Sequence, residues 1–398
     1  MSGTTRVVVA SAVRTPIGRF LGGLSTLPAP ALGEWAARAA MERAGIAPEE
    51  IDEVVFGHAR QAGCGPNPAR QVLIRAGIPQ ERTAFTVNQA CASGLKSLQL
   101  GADAIRLGRA RTVLVGGMEN MSQVPFLLER MRTGHRLGHA PLVDGMYRDG
   151  FQCPLADMIM GETAELLAQE LGIAREEQDA FALASQTKTS SAQIAGRFAD
   201  ELVAVTVPGR KGDVVIAADE HPRADASLAR LGKLPPVFDR ERGSVTAGNC
   251  SGITDGAAAL VLTSADEAER RGLEPLATLT GAALRGCDPK RMGLGPVPAT
   301  KALLAEIGGS LEDFDLVEIN EAFAAQVLAV LRAMPVAGER LNVNGGAIAL
   351  GHPIGCTGAR IVVTLLHEMR RRGARRGLAT LCVSGGLGMS AAFERPGT

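Results

Sequence analysis

Four short motifs carry residue types that can do chemistry. NQACASG (88–94) places a thiol, Cys91, just ahead of a regular apolar spacing. Leu95, Leu98, Ala102 and Ile105 recur there at intervals of three and four, which predicts one buried helix face. GGAIALGHPIGCTGAR (345–360) places His352 before a wider stripe of Ile361, Val362, Leu365, Leu366 and Met369, which predicts a more deeply buried helix. NEAFAAQ (320–326) and LCVSGGLGM (381–389) set Asn320 and Cys382 at the ends of strand-like runs. A thiol is a nucleophile only as the thiolate, and the free N–H groups and dipole of a helix start favour that anion. A histidine at a second helix start can take the thiol proton. A second thiol, if its pKa is lowered, can serve as general base, and the N–H groups of a glycine-rich turn can hold an oxyanion. Ala92, Ser93 and Gly94 are expected to leave room for an acyl group beside the sulfur.

Each motif alone also fits a plainer role. A cysteine before a helix is a small core residue, and a histidine in a Gly/Pro turn is a satisfied structural group. Asparagine at a strand end is a turn or cap residue. SGGLG is a tight turn that lacks the full dinucleotide fingerprint. Their conjunction, on elements that recur, favours catalysis.

The positioning elements form an internal repeat. VVVASAVRT (7–15), a helix-like ALGEWAARAAMERAGI (31–46) and EEIDEVVFG (49–57) are echoed by LATLTGAALR (276–285), ATKALLAEIGG (299–309) and EDFDLVEIN (312–320). The echo continues as residues 91–120 against 356–389: small-residue helix start, periodic helix, basic end, strand and double glycine. Strands alternating with helices imply parallel sheets covered on both faces. Between about Met121 and Ser244 the pattern breaks. SQVPFLLERMRTGHRLGHAPLVDGMYRDGFQCP (122–154) reads as extended loop, 161–173 and 175–198 as helices, and 245–264 as a return to a strand of the first half. Duplication would bring the helix starts together around a pseudo-twofold axis.

Bulk properties bound the rest. The chain has 398 residues, enough for several domains, and 46 % hydrophobic with 21 % charged residues is ordinary for a globular protein. Lys plus Arg equals Asp plus Glu, 42 each, which argues against a broad nucleic-acid surface. The basic run RRRGARR (370–376) reads as a solvated helix end complementing the C-terminal dipole, and ERMRTGHR (129–136), in the inserted loops, reads as a similar solvated run or as a contact for phosphates or a neighbouring subunit. Seven scattered cysteines without a C-x-x-C pair, and histidines without metal spacing, predict free thiols and no metal site. With no membrane-length apolar run and no signal-peptide core at the start, a soluble, cytoplasmic protein is expected.

The motifs together resemble those of the thiolases, the acyl-CoA C-acyltransferases. The resemblance runs from VVVASAVRTPIGRF through VLVGGMENMS, EEQDAFALASQ, VTAGNCSGITDGAAAL and NEAFAAQ to GLGMSAAFE. It implies the α/β thiolase fold: two repeated halves in five αβαβα layers, with residues 1–120 plus 245–270, an inserted loop domain 121–244, and 271–398. It implies reversible thiolytic cleavage of 3-oxoacyl-CoA with CoA, or the reverse Claisen condensation, through an acyl-cysteine. Cys91 matches the acylated residue, His352 the one that activates it and lines the first oxyanion hole, and Asn320 the one that holds a water there. Cys382 matches the thiol that moves the proton at the substrate's α-carbon. The N–H groups of Cys91 and Ser384 would form a second oxyanion hole, and Ser251, Met160 and Phe323 would meet substrate or coenzyme A. Where ERMRTGHR is a phosphate contact, the phosphates would be those of CoA. The implied partners are acyl-CoA and CoA, the latter a substrate and not a cofactor, and further copies of the chain in a homodimer or homotetramer; neither nucleic acid nor membrane is implied. Two other readings are a non-catalytic acyl-CoA-binding relative and a carrier-protein-dependent condensing enzyme, whose sites resemble Cys-His-His.

The sequence departs from the family pattern in three ways. Ser384 stands where glycine is usual, so a glycine-only backbone angle there would be strained by the side chain. Cys250 and Cys356 replace common Ala or Ser and are expected to be small buried residues. Ile159 replaces the histidine that precedes Met-Gly in acetoacetyl-specialised members, which leaves room for longer or branched acyl chains.

Overall fold

The computed structural model describes residues 5–397. The first half runs β1 (Val7–Arg14), α1 (Ala29–Ala44), β2 (Glu53–Gly57), α2 (Pro68–Arg75), β3 (Thr83–Val87), α3 (Ser93–Arg106) and β4 (Thr112–Asn120). An excursion carrying α4 (Met160–Leu171) and α5 (Arg175–Ile194) leads to β5 (Thr254–Ser264). The second half runs β6 (Ala277–Gly286), α6 (Pro296–Ile307), β7 (Leu316–Ile319), α7 (Ala324–Ala333), α8 (Ile354–Arg372), β8 (Arg376–Val383) and β9 (Leu387–Glu394). Proline and glycine punctuate these helices as their backbone preferences dictate. α1 has proline in its first turn and stops at Gly45 with φ +62°; α6 begins on Pro296 and stops at Gly308 with φ +67°.

The repeat appears directly in the strand order. The path is β7-β8-β9-β6-β1-β5-β4-β2-β3, with the short strand Gly18–Arg19 added beside β5. Read outward from the centre, each half therefore has the same order: β1-β5-β4-β2 matches β6-β9-β8-β7. The halves meet antiparallel where β1 and β6 share two residue pairs, Val8 with Thr278 and Val9 with Ala277. That narrow seam lets the sheet divide into two leaves. α3 and α8 pack against each other between them, and α8 touches strands of both leaves. α1 and α2 cover one outer face and α6 the other.

The expectation of parallel sheets is corrected here. β2 pairs in parallel with β3 and β4, and β7 with β8, but the remaining ladders are antiparallel. The reason lies in the connections. β8 and β9 are joined by a tight hairpin through Gly385 and Gly386, at φ +87° and +82°, and a hairpin forces antiparallel neighbours. β4 and β5 are the counterpart pair, with Asn120 opposite Asp255. Residues 121–253 thus leave and re-enter the sheet at one point, as an elaborated hairpin loop.

The middle layer is the deepest. α8 buries nearly every residue from Ile354 to Met369, and its side chains share one apolar cluster with Leu95, Leu98, Ala102 and Ile105 of α3. Burying each large aliphatic there is worth about 1.5–3 kcal/mol. Close approach of the two helices depends on Gly94: a Cβ there would fall 2.7 Å from Ala359 N, too near for any side chain.

Candidate active site

Cys91 sits on a sharp elbow between β3 and α3. Ala90 is held at φ +46°, in the left-handed region that an alanine occupies only at a cost of about 1–2 kcal/mol. Local hydrogen bonds fix the bend. Gln89 N donates to Ser93 Oγ at 2.9 Å, Ser93 Oγ donates to Ala90 O at 2.6 Å, and Ala90 N donates to Asn88 Oδ1 at 3.0 Å. Such local strain at one residue turns the following thiol out of the helix line and into a cavity.

His352 lies at the corresponding start of α8, preceded by Gly351 at φ +100°. Its Nδ1 is 2.6 Å from Thr357 Oγ1, and that hydroxyl donates to Pro353 O at 3.0 Å. With the hydroxyl proton so placed, Nδ1–H donates to Thr357 and Nε2 keeps a free lone pair, the tautomer a base needs. Glu119, fully buried on β4, ties the start of α8 to the loop that follows β2. It accepts from Gly355 N at 2.8 Å and from Ala59 N and Arg60 N at 3.1 Å each. His58 Nε2 stands 3.0 Å from the same carboxylate, a charge contact without good hydrogen-bond direction.

Cys382 comes from the end of β8, buried to 1 %. Ser384 follows in the turn, and its backbone N–H favours the Cys91 thiolate. The feared strain at Ser384 is absent, because the left-handed angles fall on Gly385 and Gly386. Asn320 closes β7 behind the cavity wall. It is 1 % exposed, its N–H donates to Thr380 O, and neither Nδ2 nor Oδ1 has a hydrogen-bond partner in the protein.

Cys91, His352, Cys382 and Ser384 line one cavity of about 250 Å³, together with Ser251, Met160 and Phe323. Asn320 is not in its lining, although Ala322 and Phe323 beside it are. Cys250 is a correction: it is partly exposed to the cavity and not simply buried, whereas Cys356 is buried as expected. A second correction concerns Ala92, Ser93 and Gly94. They do not border the cavity; all three are buried, with Gly94 against α8 and Ser93 against Gly57, where a Cβ on Gly57 would lie 2.7 Å from Ser93 O. Their smallness serves helix packing, and other residues wall the space beside the sulfur. Much of that space is walled by residues the motifs did not mark: Arg60, Tyr147, Phe151, Phe238 and Met292. Ile159 stands in the same wall. Past Ser251 and Ile253 a second, open hollow carries Arg19, His221 and Arg223 to the surface.

Burial governs the site's protonation. It pushes the Cys91 thiol up, against the opposing pull of Arg60 and the N–H groups of Ser384 and Cys91 itself. Cys382 is likewise pushed up, by burial and then by the nearby Cys91. The expected lowered thiols are therefore corrected: loss of water outweighs the helix-start dipole. Burial also holds His352 down at about 3, helped by the charges of Arg360 and Arg60. The resting groups are a neutral thiol, a neutral imidazole and a second neutral thiol.

The chain matches the family models described as the N-terminal domain of thiolase over residues 7–266 and the C-terminal domain over 273–395. It is 52 % identical to an acetyl-CoA acetyltransferase of Chromobacterium violaceum over 391 residues, covering 98 % of this chain and 100 % of that one. An acetyl-CoA acetyltransferase of Cupriavidus necator is likewise 52 % identical, over 392 residues and with the same coverage of 98 % and 100 %. Among solved structures, the Bacillus anthracis acetyl-CoA acetyltransferase superposes with TM-score 0.97 at 44 % identity, covering 99 % of this chain and 100 % of that one. Human mitochondrial 3-ketoacyl-CoA thiolase superposes with TM-score 0.96 at 42 % identity, with coverage of 98 % and 99 %.

Proposed function

The chain belongs to the thiolase family, and from that premise we propose that it transfers acyl groups between thiols through an acyl-cysteine at Cys91. The observation that carries this is the meeting of Cys91, His352 and Cys382, from both halves of the repeat, around one largely apolar cavity. In the thiolytic direction His352 Nε2 takes the Cys91 proton as the sulfur attacks the 3-oxo carbonyl of a 3-oxoacyl-CoA. The tetrahedral intermediate collapses with cleavage of the bond between C2 and C3. The acyl group stays on Cys91, and the departing acetyl-CoA carbanion takes a proton from Cys382. An incoming CoA thiol then returns a proton to Cys382 as its sulfur attacks the acyl-cysteine. Cys91 leaves and recovers its proton from His352. Condensation is the same sequence reversed.

Each step passes through an oxyanion, and preorganised donors at such a charge are worth about 3–4 kcal/mol apiece. Ser384 N–H and Cys91 N–H, which favour negative charge at the sulfur, serve one oxyanion. Asn320, with both amide atoms free, holds a water that serves the other with His352. The open hollow beyond Ser251, with Arg19, His221 and Arg223, suits the phosphates of CoA as it reaches inward. Ile159 in the acyl wall favours chains longer than or branched relative to acetoacetyl. No metal or redox group enters these steps, so exhaustive dialysis against a chelator should leave the rate unchanged.

The reading is tested by mass spectrometry after incubation with acetyl-CoA. A 42-dalton adduct on Cys91, lost in Cys91→Ala, is expected; no adduct, or one that survives Cys91→Ala, would sink it. We also propose a homodimer or homotetramer in the cytoplasm. β3 ends the strand order without an outer neighbour and exposes Phe85, and none of the described helices is long and apolar enough to cross a membrane. A monomer mass by light scattering at micromolar concentration would exclude that assembly.

A further inference from the structure

Arg60 stands in the wall of the reactive cavity with no counter-charge bound to it. It follows β2, is 7 % exposed, and has no ion-pair partner among the described residues. Its Nε makes no hydrogen bond, and Nη1 makes only a 3.5 Å contact to Ala59 O. The wall is shaped around it: a Cβ on Gly150 would lie 2.6 Å from Nε, so the glycine between Tyr147 and Phe151 leaves the space the guanidinium fills.

Glu119 is already engaged by three backbone N–H groups and by His58. His58, pushed up to about 9 by Glu119 and Cys64 despite its burial, stands against that same carboxylate. With Glu119 committed to these partners, Arg60 has no carboxylate of its own. Asp149 borders the outer hollow on Arg60's far side but is exposed and makes no ion pair with it. A buried cation is costly unless an anion meets it. An acyl chain ending in a methyl group supplies none, while a terminal carboxylate can take two parallel N–H bonds from a guanidinium.

The geometry points to Arg60 as the receptor for a carboxylate at the far end of the acyl chain, making CoA esters of 3-oxo dicarboxylic acids the preferred substrates. This rests on the acyl-transfer reading of the cavity given above. The chemistry is unchanged: the bond between C2 and C3 breaks, acetyl-CoA leaves, and CoA takes the shortened acyl group from Cys91 to give the half-thioester of a dicarboxylic acid.

The test compares thiolysis of two esters of equal length, 3-oxohexanoyl-CoA and 3-oxohexanedioyl-CoA, which differ only in a terminal methyl or carboxylate. Wild type should favour the carboxylate ester at least tenfold in kcat/KM. Arg60→Leu should lose about 10- to 100-fold on that ester and change less than threefold on the neutral one. A wild type that favours the neutral ester, or an Arg60→Leu loss equal on both, overturns the proposal while leaving the acyltransferase reading intact. Turnover of neither ester, together with no acyl adduct on Cys91, overturns both. Should Arg60→Leu fail to fold, the wild-type preference between the two esters still decides.

Discussion

Thr357 is the residue on which the basicity of His352 turns, and replacing it by valine removes one hydroxyl while keeping the shape. In the wild type the hydroxyl sits 2.6 Å from His352 Nδ1 and 3.0 Å from Pro353 O, with both side chains buried. It serves the neutral base by accepting from Nδ1–H, and it serves the imidazolium formed during attack in the same way. Without it, Nδ1–H has no partner at the moment the ring carries a charge. Leaving a buried donor unsatisfied costs about 1–3 kcal/mol, more when charged, which is roughly 5- to 150-fold in rate. Because that cost falls mainly on the charged form, it should appear in kcat and leave KM within about threefold. Thiolysis followed by loss of 3-oxoacyl-CoA absorbance reads both constants. Thr357→Ser, which keeps the hydroxyl, should recover most of the rate. Thr357→Val within threefold of wild type, or Thr357→Ser as slow as Thr357→Val at an unchanged Tm, would refute the reasoning.

Three further outcomes are expected. Asn320→Leu should reduce thiolysis about 10²- to 10³-fold yet keep or raise Tm, because it removes a buried amide that has no protein partner; a fall in Tm matching the fall in rate would make Asn320 structural. Ser384→Gly should leave stability and rate nearly unchanged, whereas Gly385→Ala, at φ +87°, should cost about 1–2 kcal/mol in chemical denaturation; equal effects would contradict the assignment of strain. His58, raised from 6.5 to about 9, contributes fully below pH 6.5 and loses its contribution as pH rises through 9, with about 3 kcal/mol at stake. Wild type should thus lose unfolding free energy between pH 6.5 and 9.5 relative to His58→Gln, and parallel pH curves for the two would count against the buried imidazolium.

The repeat was legible in the sequence because periodicity survives without coordinates. Leu95, Leu98, Ala102 and Ile105 mark α3, the broader stripe from Ile361 to Met369 marks α8, and both helices pack in the middle layer as their patterns imply. Strand direction was less legible, because alternation of helix and strand says nothing of the hairpins that close each half. Cys91, His352 and Cys382 stand at element ends, where motif and structure coincide. The wall of the cavity did not announce itself. Tyr147, Phe151 and Phe238 come from the aperiodic excursion, and Arg60 comes from a loop with no motif around it. A charged residue flanked by HA and QAG looks in sequence like any solvated loop arginine; only burial shows it to be otherwise. The role first given to Ala92, Ser93 and Gly94 failed for a related reason. Small residues signal close approach, but the sequence does not say whether a substrate or a helix makes it.

The same electrostatics bears on what Arg60 is for. A cation near Cys91 and His352 draws the thiol toward its anion and drives the imidazole away from its cation, and both effects are present here. Moving a proton from Cys91 to His352 creates one of each charge. What Arg60 gains by steadying the thiolate it gives back by opposing the imidazolium, so the pair as a whole gains little from its presence. Burial acts differently, since it opposes both charges and keeps the resting site neutral until a carbonyl arrives to accept the developing negative charge. An unpaired cation in such a cavity acts throughout binding and reaction on a group that enters already charged, whereas an oxyanion exists only in passing and has its own N–H donors. Neither the thioester nor the 3-oxo group is charged, and the CoA phosphates suit the separate hollow past Ser251. The remaining candidate is the end of the acyl chain.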